Sequence, residues 1–173
     1  MTMVTNETLG RVGRGETAGS TAVAQEGLIA GLLGAASIAV WFLILDALDG
    51  RPLYTPTVLG TFLFRRGAEA TGTLMPSLEM AFVFTWVHAL VFILIGVGAS
   101  YLLQVAERYP NVGFGILLLF VVFEFSFVVA AATLAEGVLQ ALSWYRVLIG
   151  NLMAAAAMGA YFWARHPNLR IEP

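Results

Sequence analysis

The chain lacks cysteine and lysine and has few charged residues of either sign. The absence of cysteine excludes disulfide bonds, thiolate metal sites and cysteine catalysis. Charged residues make up 12% of the 173 residues, whereas an average soluble protein has about 25%. The nine basic residues are all arginine and the formal net charge is −2, so the chain lacks the clustered basic face that nucleic-acid binding requires. The composition therefore indicates a small protein with little solvated surface and no nucleic-acid partner.

Recognisable catalytic motifs are also missing. The sequence shows no nucleophile motif, no glycine-rich phosphate loop and no pair of catalytic carboxylates. The glycines at 96–98 lie inside an apolar run with no strand before them, so they do not form a nucleotide fingerprint. No two ionisable residues in the apolar runs have the i, i+3 or i, i+4 spacing that places two metal ligands on one helix face. We therefore expect no metal centre, and we rank an enzymatic activity below other functions.

Long apolar runs are what the sequence does contain. The run from Val112 to Ala135 holds one ionisable side chain, Glu124, near its centre. A helix of roughly 20 apolar residues crosses the ~30 Å hydrocarbon layer of a membrane. Four such runs predict an all-α integral membrane protein with four antiparallel transmembrane helices. Their predicted spans are about 25–48, 77–106, 112–139 and 145–164.

The segments outside these spans are short. Residues 1–24 are polar and glycine-rich, so we expect a flexible tail unless a partner holds them. Residues 56–66 in the first loop have an apolar stripe with helix start and stop signals, but they are too few to span. This pattern favours a helix that lies in the membrane interface or dips in and out of it. A surface helix that only covers the end of the bundle has the same weight as a functional lid. The bundle then comprises residues 25–166, and residues 167–173 form a C-terminal tail.

Small residues recur at every fourth position of the first span, at Gly27, Gly31, Ala35 and Ala39. Lipid provides no hydrophobic drive for helices to associate, so close backbone approach along small residues is the usual source of packing. We predict that this face packs against another helix, either of this chain or of another subunit. The alternative is a run of ordinary small residues that face lipid.

Glu124 is the most costly side chain in the predicted spans. A charged carboxylate at the bilayer centre costs at least ~2.5–3.5 kcal/mol. Its candidate functions are a proton relay, a cation path or a ligand contact, and the structural alternative of an interhelical hydrogen bond has equal weight. Glu136, Glu79 and Asp46 are further candidates for proton or ion handling, because the predicted topology places them in the half of the bundle that bears the long loop.

His88 stands alone on an apolar helix and has three interpretations. Such a histidine is most often a hydrogen-bonded packing residue. An imidazole also ligates haem or a chlorophyll-type pigment, which makes His88 a candidate cofactor ligand; the third interpretation is proton handling with a glutamate. His166, the only other histidine, follows the last predicted span and is poorly placed as a second haem ligand. Met153 or Met158 are the alternative partners.

Two functional hypotheses follow from the sequence. The first is a non-catalytic accessory or scaffold subunit of a larger bacterial energy-converting membrane complex, with lipid and other membrane subunits as partners. The second is an autonomous carrier for protons or cations, or a haem- or pigment-binding bundle, that uses Glu124, His88 and Glu136. Five arginines lie at the end with both termini and four at the other end, which slightly favours cytoplasmic termini in a bacterial inner membrane.

Overall fold

The structure, a computed structural model, describes residues 4–64, 75–108, 115 and 143–167, with side chains from Ser20 onward. Helices account for most of these residues. They are α1 (Val4–Leu48), α2 (Tyr54–Phe64), α3 (Leu78–Arg108) and α4 (Trp144–Arg165). The predicted all-α fold class is confirmed.

Three of these helices are long and apolar enough to cross a membrane. Their candidate spans are Ser20–Leu48, Leu78–Arg108 and Trp144–Arg165. Large apolar side chains are exposed along them, Leu32, Leu94 and Leu152 among others, as expected for helices that contact lipid. Three predicted spans are therefore present as helices. The fourth, at 112–139, lies outside the described residues except for Gly115.

α1 begins well before the predicted start of the first span near Gln25. It contains 45 residues from Val4 onward, whereas the apolar candidate span within it begins at Ser20. The flexible tail at 1–24 stays a prediction. The C-terminal tail lies outside the described residues after Pro167.

α2 is a helix close to the predicted position of 56–66, although it starts two residues earlier and ends at Phe64. Thr57 and Val58 are almost fully buried, because α2 packs against α3 and α1. An ideal Cβ built on Gly60 would lie 3.0 Å from the backbone carbon of Met80, so only glycine permits this approach. α2 therefore covers one end of the described helices, and its location in the membrane interface stays a prediction.

The small-residue face of α1 packs directly on the backbone of α3. An ideal Cβ on Gly31 would lie 2.6 Å from Ile93 Cα, and one on Gly27 would lie 2.6 Å from Val97 N. Since real Cβ atoms do not approach backbone atoms so closely, both positions require glycine. Higher residue numbers on α1 meet lower numbers on α3, so these two helices are antiparallel. The open question about this face is thus resolved at these positions in favour of packing within the chain.

The same face has limits. Ala35 is buried, whereas Ala39 is exposed, so the tight contact does not continue for the whole predicted stripe. Gly34 adjoins both neighbouring helices, because its ideal Cβ would lie 2.7 Å from Met158 Sδ and 2.8 Å from Phe92 Cδ1. The core of the described bundle is therefore a three-helix contact built on glycine.

α4 is also antiparallel to α1. Gly34 on α1 lies against Met158, and Trp41, two turns later, lies against Gly150, where an ideal Cβ would be 3.1 Å from Trp41 Cδ1. α3 and α4 therefore run in the same direction, so Arg108 at the end of α3 and Trp144 at the start of α4 lie at opposite ends of the bundle.

Candidate functional site

The loop end of the bundle is the end where α1 stops, α2 packs, and α3 and α4 begin. Asp46 lies there with only 4% of its surface exposed. Its Oδ2 accepts a hydrogen bond from the Thr55 backbone N–H at 2.7 Å, and its Oδ1 accepts one from Thr55 Oγ1 at 2.7 Å. The first N–H groups of a helix lack partners within it and carry partial positive charge. Asp46 of α1 thus caps α2 from outside, and both of its carboxylate oxygens are engaged.

Thr57 joins α2 to the start of α3. Its hydroxyl donates to the carbonyl of Leu53 at 2.7 Å and accepts from the backbone N–H of Ser77 at 3.1 Å. Thr57 is 1% exposed, so this hydroxyl lies in the interior. α2 is therefore hydrogen-bonded to α1 through Asp46 and to the start of α3 through Thr57.

α1 and α4 are joined at the loop end by two further contacts. Trp41 Nε1 donates to the backbone carbonyl of Arg146 at 2.9 Å, and the Arg146 guanidinium lies 2.5 Å from Asp49 Oδ2. The hydrogen bond from Arg146 lowers the pKa of the Asp49 carboxyl below its usual value. This ion pair lies at the rim of the bundle, where water screens it.

The terminal end is the opposite end, where α3 and α4 finish and the candidate span of α1 begins. His166, the residue after α4, lies there between two carboxylates. Its Nε2 is 2.7 Å from Glu26 Oε1 of α1, and its Nδ1 is 2.5 Å from Glu107 Oε1 of α3. A single imidazole thus connects all three long described helices. We call Glu26, Glu107 and His166 the histidine cluster.

Exposure falls from one side of the histidine cluster to the other. The side chain of Glu107 is 41% exposed, that of His166 is 17% and that of Glu26 is 13%. Ser100, which is 2% exposed, donates from its Oγ to Glu26 Oε2 at 3.3 Å. The hydrogen-bonded groups therefore run from the surface to the interior of the bundle.

The surroundings of His166 act on its pKa in opposite directions. Burial lowers the pKa of the imidazole, whereas the hydrogen bonds with Glu107 and Glu26 and the charges of both carboxylates raise it; the net result is a pKa above the usual value. The positive form is also favoured by position, because His166 is the C-cap residue of α4 and a helix C-terminus attracts cations.

The sequence-predicted residues are not brought together. Glu79 is exposed in the first turn of α3, where it lines an open groove of about 530 Å³ with Leu53, Phe82 and other mainly apolar residues. Asp46 lies at the same end, but both of its carboxylate oxygens already accept hydrogen bonds from Thr55 of α2. Glu124 and Glu136 lie outside the described residues. The proposed roles of all four in proton or ion handling stay predictions.

His88 is half-buried on α3 between two aromatic rings of its own helix. The ring centroids of Phe84 and Phe92 lie 5.6 Å and 4.8 Å from that of the imidazole. The backbone of Ala35 on α1 forms a hydrogen bond with the ring, but the buried Nε2 has no hydrogen-bond partner. His88 is thus partly a packing residue, with one nitrogen left available.

The described residues contain no group of three or more side chains arranged to hold a metal ion. The histidine cluster does not qualify, because Nδ1 and Nε2 point away from each other and each faces a different carboxylate. The two carboxylates therefore do not converge on one point.

Sequence reasoning missed the histidine cluster. It treated His166 only as a second haem ligand and placed the main polar groups at the loop end. A usable signal was present, since the predicted topology puts Glu26, Glu107 and His166 near the boundary of successive spans at the same end. Counting residues from the predicted end of each span places these three residues at one level.

Comparisons of the chain with protein-family models, with curated proteins and with solved structures find no significant match. The residues described above are therefore the basis for assigning a function.

Proposed function

We propose that this chain is a non-catalytic accessory or scaffold subunit of a larger energy-converting complex in a bacterial inner membrane. The observation that carries the proposal is that polar side chains at both ends of the bundle form contacts between its own helices. Asp46, Arg146 and the histidine cluster each join one helix to another at an end of the bundle. A protein whose ionic groups fasten its own helices is suited to presenting a rigid apolar exterior to neighbouring subunits.

Four membrane crossings are part of this proposal. Arg108 and Trp144 lie at opposite ends of the bundle, so the residues between them have to return from one end to the other. The sequence of that interval supports a crossing, because Val112 to Ala135 is apolar except for Glu124 and long enough to span the hydrocarbon layer. Both termini then lie on the same side of the membrane, and we propose the cytoplasmic side.

The apolar exterior supports the role of a subunit. Leucine and other large apolar side chains are exposed on each of the three spans. Small exposed residues also occur on α4, and within the described part of the chain no other helix comes within 4 Å of an ideal Cβ on Gly159. Such a surface suits lipid and also permits close approach of another transmembrane helix.

Native sizing after gentle detergent extraction tests the proposal. The expected result is a species much larger than the 18.6 kDa of the chain, with co-purifying membrane proteins that disappear when harsh detergent replaces the gentle one. A single species at the mass of the chain plus its detergent, without partners, would contradict the proposal.

Site-specific photo-crosslinking locates the contact. A photoreactive amino acid is placed at one exposed position on each span, Leu32, Leu94 or Gly159, in separate variants. We expect protein adducts from at least one position and lipid adducts from the others, which serve as matched controls. Lipid adducts alone at all three positions would count against a subunit interface on these helices.

One observation favours a second candidate, a haem- or pigment-binding bundle. A buried polar atom without a partner costs about 1–3 kcal/mol, and His88 Nε2 is such an atom. Ligation of a tetrapyrrole metal would satisfy it, and the aromatic rings of Phe84 and Phe92 suit a flat macrocycle. The groove described above lies at the loop end and is not lined by His88.

An absorption spectrum of the gently extracted protein tests this candidate. A cofactor held by His88 predicts a Soret band, or a far-red band for a chlorophyll-type pigment, that is lost in His88→Leu and kept in His166→Gln. Spectra without visible absorption in the wild-type protein would exclude it.

A further inference from the structure

The contacts of His166 restrict the number of protons in the histidine cluster. A neutral imidazole has one N–H donor and one unprotonated nitrogen, whereas an ionised carboxylate only accepts. Both ring nitrogens of His166 lie within 2.7 Å of a carboxylate oxygen. If the imidazole were neutral and both carboxylates ionised, one short contact would join two acceptors. The two short contacts therefore require one proton more than a neutral imidazole and two ionised carboxylates hold together.

We propose that the histidine cluster is a proton-binding clamp. With the proton bound, the imidazolium of His166 donates to Glu26 and to Glu107 and holds the ends of α1, α3 and α4 together. When the proton is lost, one of the two contacts becomes repulsive, and the end of α4 separates from α1 or from α3. This property does not depend on the role of the chain as a scaffold subunit.

The charges around the imidazole support binding of the proton at His166. The groups that act on it are Glu26 from α1 and Glu107 from α3. Arg108 and Arg165, next in sequence to members of the cluster, are exposed to the surroundings. The clamped form keeps two negative charges and one positive charge close together, so proton loss removes the positive charge that lies between the two carboxylates.

The direction of the pH effect follows from the raised pKa of His166. A group with a higher pKa in the folded state stabilises that state fully below its unfolded value, which is about 6.5 for histidine. The stabilisation is lost as the pH rises through the raised pKa. The clamp is therefore closed at mildly acidic pH, below about 6.5, and opens as the pH rises through the raised pKa of His166.

Titration of the histidines by NMR tests the site of the proton. The chain has two histidines, so the two imidazole signals are assigned with His166→Gln and His88→Gln. The full chain in lipid nanodiscs is used. We expect the His166 signal to show an imidazolium at pH 6 and to titrate above about 6.5, with a lower midpoint in Glu26→Gln and in Glu107→Gln. A neutral His166 at pH 6, or a midpoint unaffected by both glutamine variants, would overturn the proposal.

Spin-label distances test the opening. Because the chain has no cysteine, pairs of labels are introduced directly. Ala24→Cys with Ala164→Cys reports on the terminal end, and Ala47→Cys with Leu148→Cys is the matched control at the loop end; all four positions are exposed.

We expect the terminal pair to show a longer and broader distance distribution when the pH is raised from 6 to 9, while the loop pair stays unchanged. Glu107→Gln should remove most of this transition, because the glutamine amide can donate to an unprotonated His166 Nδ1 and the contact no longer joins two acceptors. A terminal distance that is constant over this range in the wild-type background, or an equal change at the loop end, would overturn the clamp.

Discussion

The two ends of the bundle are fastened by different chemistry. At the loop end, a buried carboxylate caps a helix, threonine hydroxyls and an indole N–H donate to carbonyl or carboxylate oxygens, and an arginine pairs with Asp49. At the terminal end, one imidazole connects three helices through two carboxylates. The first set of contacts is distributed over several residues, whereas the second depends on a single residue.

This difference separates the two ends in their response to pH. The pKa of Asp49 is lowered by its hydrogen bond to Arg146, so that contact is lost only when the pH falls through a value below about 3.9. His166 has a raised pKa and loses its proton as the pH rises above the usual histidine range. Near neutral pH, the loop end is therefore constant and the terminal end responds.

The largest effect is expected from Gly96→Ala, which separates α1 and α3 next to the terminal end. The added methyl group would meet the carbonyl of Gly27 and lie 2.6 Å from Gly31 N, and neither backbone atom moves without moving its helix. We expect a loss of roughly 3 kcal/mol of stability, at the upper end of the usual cost of overpacking. Unfolding of the purified protein in mixed micelles measures it.

The matched control is Gly98→Ala on the same helix, where no neighbouring helix among the described residues comes within 4 Å of the added group. Its stability should equal that of the wild type or exceed it slightly, since alanine is the better helix former. Equal destabilisation by both substitutions would show that the contact between α1 and α3 does not hold the terminal end.

A smaller effect, at the loop end, is expected from Asp46→Ala. This substitution removes the acceptor for the Thr55 N–H and hydroxyl. Hydrogen bonds to a charged group contribute about 1.5–3 kcal/mol, so we expect a loss of about 2 kcal/mol and faster amide exchange in the first turn of α2.

Asp46→Asn is the control for charge, because the amide can still accept from the backbone N–H and donate to the hydroxyl of Thr55. It should keep most of the stability. If Asp46→Ala left α2 as well protected from exchange as the wild type, the capping role of Asp46 would be wrong.

The smallest effect is expected from Asp49→Asn, which breaks the ion pair with Arg146 at the rim. Both side chains are about one-third exposed, so screening by salt weakens the pair. We expect a slight loss of stability at low ionic strength that disappears at high salt. A loss that persists in 1 M salt would show that this pair contributes more to the loop end than its exposure implies.

Much of the fold could be predicted from the sequence because the bilayer imposes a length and a polarity on each span. The runs near 25–48, 77–106 and 145–164 coincide with three helices, and the glycine spacing at Gly27 and Gly31 located a packing face. The partner of that face could not be predicted, since small residues permit contact with any helix. The choice of partner depends on where α3 lets another backbone approach closely, and α3 does so at Gly96, which has no side chain.

The site was less predictable for a physical reason. A polar residue deep inside an apolar run is conspicuous in a sequence, so Glu124 and His88 stood out more than residues near the span ends. His166 lies one residue beyond α4 and appears ordinary until two carboxylates from distant segments reach it. Asp46 was a candidate from the sequence. Its partner is the first turn of α2, and the position of that turn next to Asp46 is known only once the backbone is folded.

The arrangement of helices is tested most directly by the accessibility of single cysteines to a membrane-impermeant maleimide. Arg108→Cys and Pro167→Cys report on the terminal end, and Met75→Cys and Trp144→Cys report on the loop end; all four positions are exposed. We predict that reagent on one side of sealed vesicles labels the first two variants and that reagent on the other side labels the last two. Labelling of Arg108→Cys and Trp144→Cys from the same side would contradict the proposed four-span bundle.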